Sequence, residues 1–248
     1  MKNTKYPNVV EFQVTGDYGL FSDPIMRIGG EKCSYQVPTY EALKGILSSV
    51  YWKPTLIWVI DQVRVMNQIQ TEVKSVRPIK YSESGNDLAY YTYLKNCRYQ
   101  VRAHFEWNEN RPELAGDRNE NKHHEIARRM IRKGGRRDIF LGTRECQGYV
   151  EPCAFGEGPA AYDDCPELSF GLMYHGITYA DEAYAEGNRG KMTARFWYPV
   201  MRQGIITFAR PEECPGQKTL REMEIKPFGR EHHNFVGLGE FEEVTAWD

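Results

Sequence analysis

The clearest pattern in the chain is a strict alternation from Asn96 to Trp107. Tyr99, Val101, Ala103, Phe105 and Trp107 share one face, and Arg98, Gln100, Arg102, His104 and Glu106 share the other. A period of two predicts a β-strand with one buried face. Val9 to Val14 is a second β-prone run, closed by Gly16-Asp17-Tyr18-Gly19 and followed by a polar, glycine-containing loop to Tyr35. The period then changes. Behind Pro38-Thr39, residues Leu43, Ile46, Leu47 and Val50 recur at helical spacing within Tyr40 to Trp52, and Pro54 closes that helix. Thr55 to Ile69 is rich in β-branched residues and predicts a strand, and the aromatic segment Ala89 to Leu94 separates it from the alternating one. A second helix is expected from about Asn121 to Lys133, with Ile126, Met130 and Ala127 inward and Gly134 as its stop; Arg144 to Ala154 supplies one more strand.

The resulting order is strand, helix, strand, strand, helix, strand. It predicts an α+β fold of the ferredoxin-like βαββαβ type over residues 1–155, an arrangement also used by RNA recognition modules. Beyond Gly156-Glu157-Gly158-Pro159 the pattern breaks into short β-prone pieces, Leu168 to Tyr179, Thr193 to Met201 and Ile205 to Arg210. The last two flank Arg202-Gln203-Gly204, a hairpin turn. A small antiparallel β-sheet extension is therefore expected over 156–215. Residues 216–248 lack periodicity, are rich in Pro, Gly and Glu, and are expected to be a poorly ordered tail.

Composition narrows the function classes. With 248 residues, 41% of them hydrophobic, the chain can bury a real core. No apolar segment follows Met1-Lys2, and the longest apolar stretch, around Leu56 to Ile60, is too short for a bilayer, so a soluble cytoplasmic protein is expected. Six scattered cysteines read as reduced thiols; none has the spacing of a zinc site, and P-loop, H-E-x-x-H and G-x-S-x-G sequences are absent. No metal or cofactor is expected. Charge adds more. Residues 118–144 hold nine Lys or Arg against three acids, in a chain whose net charge is -2. Such a stretch suits a polyanion, and it is equally compatible with a solvated helix face.

The candidate chemistry lies in and around this stretch. His123 carries an imidazole, which can move a proton without a metal; the bland alternative is a surface or capping histidine. Lys122 can stabilise charge on a phosphorane. Tyr51, at the end of the first helix, joins them if the two helices pack on one sheet face; otherwise it is a core aromatic. His124 lies about 100° around the helix from His123, which separates the two imidazoles. Arg118, Arg128, Arg129, Arg132, Lys133, Arg136 and Arg137 are candidate RNA contacts. Gly134 and Gly135 either let backbone amides approach a phosphate or simply end the helix. Tyr90, Tyr91 and Tyr93 offer faces for unpaired bases, with ordinary packing as the alternative.

Several words of the sequence together resemble a known family: Gly16-Asp17-Tyr18-Gly19-Leu20-Phe21, Gly29-Gly30-Glu31-Lys32, Ser34 to Tyr40, Ala42 to Ile46, Tyr51-Trp52-Lys53-Pro54-Thr55, Asp117-Arg118-Asn119, Lys122-His123 and Gly134-Gly135-Arg136-Arg137-Asp138 to Gly142. From about Val10 to Glu213 the chain resembles the CRISPR-associated Cas-five family, of the RAMP superfamily, in its subtype I-C (Dvulg) form. The resemblance implies a metal-independent endoribonuclease that cuts the repeat hairpin of CRISPR precursor RNA. It puts the cleaving residues on Tyr51, Lys122 and His123. It also implies that the protein keeps the 5′ handle of the crRNA and joins the backbone and large subunits of the interference complex. Asn121 departs from the smaller residue expected before Lys122-His123. Two other readings of the basic surface remain open: a non-catalytic crRNA clamp, and a protein that binds or nicks double-stranded DNA.

Overall fold

In the computed structural model, which describes residues 8–24, 26, 30–80 and 84–225, the chain is a mixed α/β protein with two antiparallel-rich sheets and two α-helices. In chain order the elements are β1 (Val10–Gly19), β2 (Lys32–Cys33), α1 (Tyr40–Val50), β3 (Leu56–Val65), β4 (Thr71–Val76), β5 (Ala89–Trp107), α2 (Glu120–Arg132), β6 (Ile139–Phe140) and β7 (Gln147–Pro152). There follow β8 (Leu168–Ser169), β9 (Met173–Thr178), β10 (Lys191–Trp197), β11 (Val200–Arg202), β12 (Ile205–Thr207) and β13 (Gly216–Glu222). The main sheet runs β6-β7-β1-β5-β3-β12-β11-β8, and β2 and β4 add to β5. Its neighbours are antiparallel except β2 on β5. A second sheet has the order β13-β10-β9.

The apolar face of β5 meets the helices as its alternation requires, with Val101, Ala103 and Phe105 at most 1% exposed. The charged face is the surprise, because Gln100 and His104 are buried too. The chain at 156–163 folds over that face. Gln100 exchanges bonds with the Gly156 amide (2.9 Å) and the Glu157 carbonyl (2.8 Å), and Arg64 donates to the Gly158 carbonyl (2.9 Å) and Asp163 (2.7 Å). His104 lies 2.9 Å from Asp61, and Arg210 grips both oxygens of Glu106. Polar groups can be buried here because each finds a partner.

Thr39 caps α1 by accepting from the Ala42 amide (3.1 Å), and Tyr40, Leu43, Ile46, Leu47 and Val50 form its buried face. Asn119 caps α2 through the Lys122 amide (3.0 Å). Its inward stripe matches the expected one only at Ala127. His123, Ala127 and Ile131, at i, i+4 and i+8, are buried, whereas Ile126 and Met130 pack only partly against the core. A satisfied histidine can hold a core position that a hydrophobicity pattern assigns elsewhere.

Four other expectations change. The strand expected to reach Ile69 ends at Val65, and the chain turns back as β4, which pairs with the first half of β5. The aromatic segment at 89–94 is the start of β5 itself, which keeps one register against β1 from Leu94 to Ala103 and passes through Asn96 at a φ of 51°. The pieces expected in one separate unit divide between the sheets: β12 pairs with β3 and carries β11 and β8 onto the main sheet, leaving β9 and β10 in the small one. Regular structure also continues past 215, because Gly216–Glu222 pairs with β10. Residues 226–248 of the expected tail, and Gly29, lie outside the described residues. The expected turn does form, with Gln203 (φ 48°) and Gly204 (φ 76°) both left-handed as a two-residue hairpin turn requires.

One glycine gives a sharp test of this packing. Gly142 has φ +93°, and a Cβ there would land on the Leu20 carbonyl oxygen. Gly142→Ala is expected to lower the unfolding free energy by ~3 kcal/mol, read by urea titration, since both the left-handed backbone and the collision oppose it. Gly45→Ala, in the exposed middle of α1 with open space around it, should leave stability unchanged or raise it by up to ~1 kcal/mol.

Candidate active site

The end of α1 and the start of α2 bring together residues 72 positions apart. Tyr51 leaves α1 in an extended conformation (φ -157°), its amide still bonded to the Leu47 carbonyl (2.9 Å), so its ring swings away from the helix. The Trp58 indole donates to the Tyr51 carbonyl (2.7 Å) and fixes that turn. The Tyr51 hydroxyl then lies 2.7 Å from Nδ1 of His123. Phe105 and Trp107 of β5 wall the imidazole, edge-on at 6.2 and 5.7 Å between ring centroids.

The other imidazole nitrogen meets a residue that sequence reasoning placed only in a motif. His123 Nε2 lies 2.8 Å from the Asp117 carbonyl oxygen and 3.5 Å from its carboxylate. The same carboxylate pairs with the Lys122 ammonium and accepts from the Thr55 hydroxyl (3.0 Å). The Lys122 bond foremost, with help from Thr55, holds the Asp117 carboxyl below its usual range. Burial first, and then the Asp117 charge, push the Tyr51 phenol above its ordinary value, against the opposing pull of Arg136. Tyr51 is thus a protonated hydroxyl at neutral pH. Its residue is 1% exposed and His123 is 0% exposed, whereas the Lys122 side chain is 49% exposed. Lys122 is the member of the cluster that faces solvent.

Tyr51, Lys122 and His123 are therefore together, as the first reading required. His124 is not with them: its Nε2 lies 2.9 Å from the Val9 carbonyl, on another flank of α2. With Arg128 and Arg132 it lines a groove of about 420 Å³ against Val9, Glu11 and Cys153. The other basic candidates divide by their partners. Arg118 is committed to Glu109 (3.0 Å) and the Asn108 carbonyl (3.0 Å), so it clasps its own loop. Arg128 pairs with Glu125. Arg129, Arg132, Lys133, Arg136 and Arg137 are exposed, and none has an ion pair among the described residues.

The glycine loop is a helix stop. Gly134 (φ 81°) and Gly135 (φ 110°) donate to the Ile131 (3.0 Å) and Met130 (2.9 Å) carbonyls, the paired bonds of a Schellman motif. The Arg136 and Arg137 amides both reach the Ser49 carbonyl at 3.2 Å, joining the two helix ends. All four amides are used internally, as the helix-stop alternative requires and the phosphate-cradle alternative does not; the arginine side chains remain available. Of the three tyrosines, Tyr90 is exposed and Tyr93 is buried.

Comparison with known proteins places the chain in a family. The family model described as CRISPR-associated protein (Cas_Cas5), of the Cas5d kind, matches residues 9–209. A protein of Mannheimia succiniciproducens named CRISPR pre-crRNA endoribonuclease Cas5d is 34% identical, covering 80% of this chain and 94% of the relative. A Thermus thermophilus protein of the same name is 26% identical over 84% of this chain and 92% of its own. A crystal structure of a CRISPR-associated protein superposes with a TM-score of 0.71 at 36% identity, covering 85% of this chain and 96% of the other. The functionally uncharacterized protein SMU1763c from Streptococcus mutans gives 0.70 at 39% identity, with 85% and 97% coverage. The chain belongs to the Cas5d family of CRISPR-associated proteins.

Proposed function

We propose that this chain is a pre-crRNA endoribonuclease of a subtype I-C CRISPR system, and that Tyr51, Lys122 and His123 cut the repeat RNA without a metal. The observation that carries the assignment to these residues is the 2.7 Å contact between the Tyr51 hydroxyl and His123 Nδ1, with the half-exposed Lys122 ammonium alongside. The activity itself is the one named for the relatives.

RNA contains its own nucleophile. When the 2′-hydroxyl attacks the adjacent phosphorus in line, the protein need only remove a proton, stabilise the extra charge and see the leaving 5′-oxygen protonated. Tyr51 engages the 2′-hydroxyl, Lys122 stabilises the phosphorane, and His123 moves the proton. The exposed Arg129, Arg132, Lys133, Arg136 and Arg137 side chains carry the RNA backbone, with Arg128 beside them. After cutting, the chain holds the 5′ handle of the crRNA and sits against the backbone and large subunits of the interference complex. The order β7-β1-β5-β3, with α1 and α2 packed on one face, fits the ferredoxin-like βαββαβ arrangement.

Product chemistry tests this reading. Incubated with its repeat RNA in excess EDTA, the protein should release fragments ending in a 2′,3′-cyclic phosphate and starting with a 5′-hydroxyl. Products with a 5′-phosphate, or cutting that stops in EDTA, would refute it.

A further inference from the structure

We propose that Asp117 is a positioning residue of this site: its carbonyl selects the His123 tautomer that receives the Tyr51 proton, and its carboxylate holds the Lys122 ammonium beside that pair. The proposal rests on the RNA-cutting reading above and deepens it.

The argument begins with hydrogen-bond valence. A main-chain carbonyl can only accept, so the 2.8 Å contact with the Asp117 oxygen puts the hydrogen of a neutral imidazole on Nε2. Nδ1 is then a lone pair, and the Tyr51 hydroxyl, 2.7 Å away, donates to it. Both ring nitrogens are occupied, and the residue is 0% exposed. With Nδ1 and Nε2 both occupied, His123 receives a proton from the RNA by way of the Tyr51 hydroxyl, on a residue itself buried at 1% exposure. The carbonyl and carboxylate of one residue do both tasks because Asp117 closes the short helical turn Pro112–Asp117 immediately before the Asn119 cap of α2. Thr55, just before β3, donates to Oδ2 of the carboxylate while Lys122 holds Oδ1.

The proton path follows from this geometry. As RNA binds, its phosphate competes with the Asp117 carboxylate for Lys122, the surface member of the cluster. The 2′-hydroxyl proton passes to the Tyr51 oxygen while the Tyr51 proton passes to Nδ1, giving an imidazolium. The 2′-oxygen bonds to phosphorus, and the bond from phosphorus to the 5′-oxygen breaks beside Lys122. The leaving oxygen takes a proton from water, and the hydroxide so formed recovers the proton from His123 by way of Tyr51. The protein ends in its starting charge state.

Two measurements on the full chain test the role. In single-turnover cleavage of repeat RNA, Asp117→Ala should lower the rate at saturating protein at least 10-fold while changing the RNA Kd less than 3-fold. Asp117→Asn, whose amide oxygen can still accept from Lys122, should recover part of the loss. A wild-type or faster rate in Asp117→Ala, or a loss that appears equally in Kd, would overturn the proposal. Nitrogen-15 spectra of the wild-type imidazole supply a second readout that needs neither a variant nor activity: Nε2 should carry the hydrogen and Nδ1 the lone pair. The opposite tautomer overturns it even if cleavage is confirmed, and wild-type protein that never cuts removes the underlying reading instead.

Discussion

His123→Ala is expected to slow repeat-RNA cleavage by 10² to 10⁴-fold while leaving RNA affinity within a few-fold of wild type. That range is what a positioned acid or base typically contributes. Affinity survives because the imidazole has no exposed surface with which to bind RNA, and the exposed cations of α2 and of Arg136 and Arg137 are untouched. The substitution also removes a buried ring packed between Tyr51, Phe105 and Trp107, and leaves the Tyr51 hydroxyl without its partner. A stability loss of about 2–4 kcal/mol should accompany it. Cleavage by chain-saturating single turnover, with binding by filter retention, separates the two effects. Unchanged cleavage would remove His123 from the chemistry.

The largest effect on stability is expected at a residue that never meets RNA. Trp58 is 1% exposed, stands edge-on to Phe105 at 5.5 Å between centroids, and donates from its indole to the Tyr51 carbonyl. Trp58→Ala should cost about 3–5 kcal/mol in urea unfolding, from lost transfer energy and the cavity left behind. Trp58→Phe is the informative companion. It keeps most of the ring but strands the Tyr51 carbonyl, so it should cost about 1–2 kcal/mol and slow cleavage as Tyr51 loses its anchor. A folded Trp58→Phe protein that cuts at the wild-type rate would show that Tyr51 is held by other contacts.

The elements that were legible in the sequence are those whose signal is local. The alternation from Tyr99 to Trp107, the spacing of Leu43, Ile46, Leu47 and Val50, and the Arg202-Gln203-Gly204 turn all appear where expected. What was misplaced depends on distant pairing. Nothing near Ile206 says that it will lie beside Val63, and nothing near Thr219 announces Thr193 as its partner. Burial of Gln100 likewise depends on residues 156 and 157, more than fifty positions away.

The site shows the same division. Tyr51, Lys122 and His123 were identified by residue type and by resemblance, and the structure brings them together. The histidine's burial runs against its polarity, which is why the expected inward stripe of α2 holds Ile126 and Met130 beside Ala127 in place of His123 and Ile131. Asp117 and Thr55 carried no separable signal, because an acid before a helix cap and a threonine after a proline are ordinary in any chain. Only the convergence of Asp117 on both Lys122 and His123 distinguishes it.

The most direct test of the central claim replaces a single oxygen in the substrate. Repeat RNA carrying a 2′-deoxy nucleotide at the scissile position, presented with the unmodified RNA in EDTA, removes the nucleophile and leaves the rest of the binding surface intact. The account predicts that the protein binds both RNAs equally and cuts only the unmodified one. Cutting of the deoxy substrate at the same phosphodiester would contradict it.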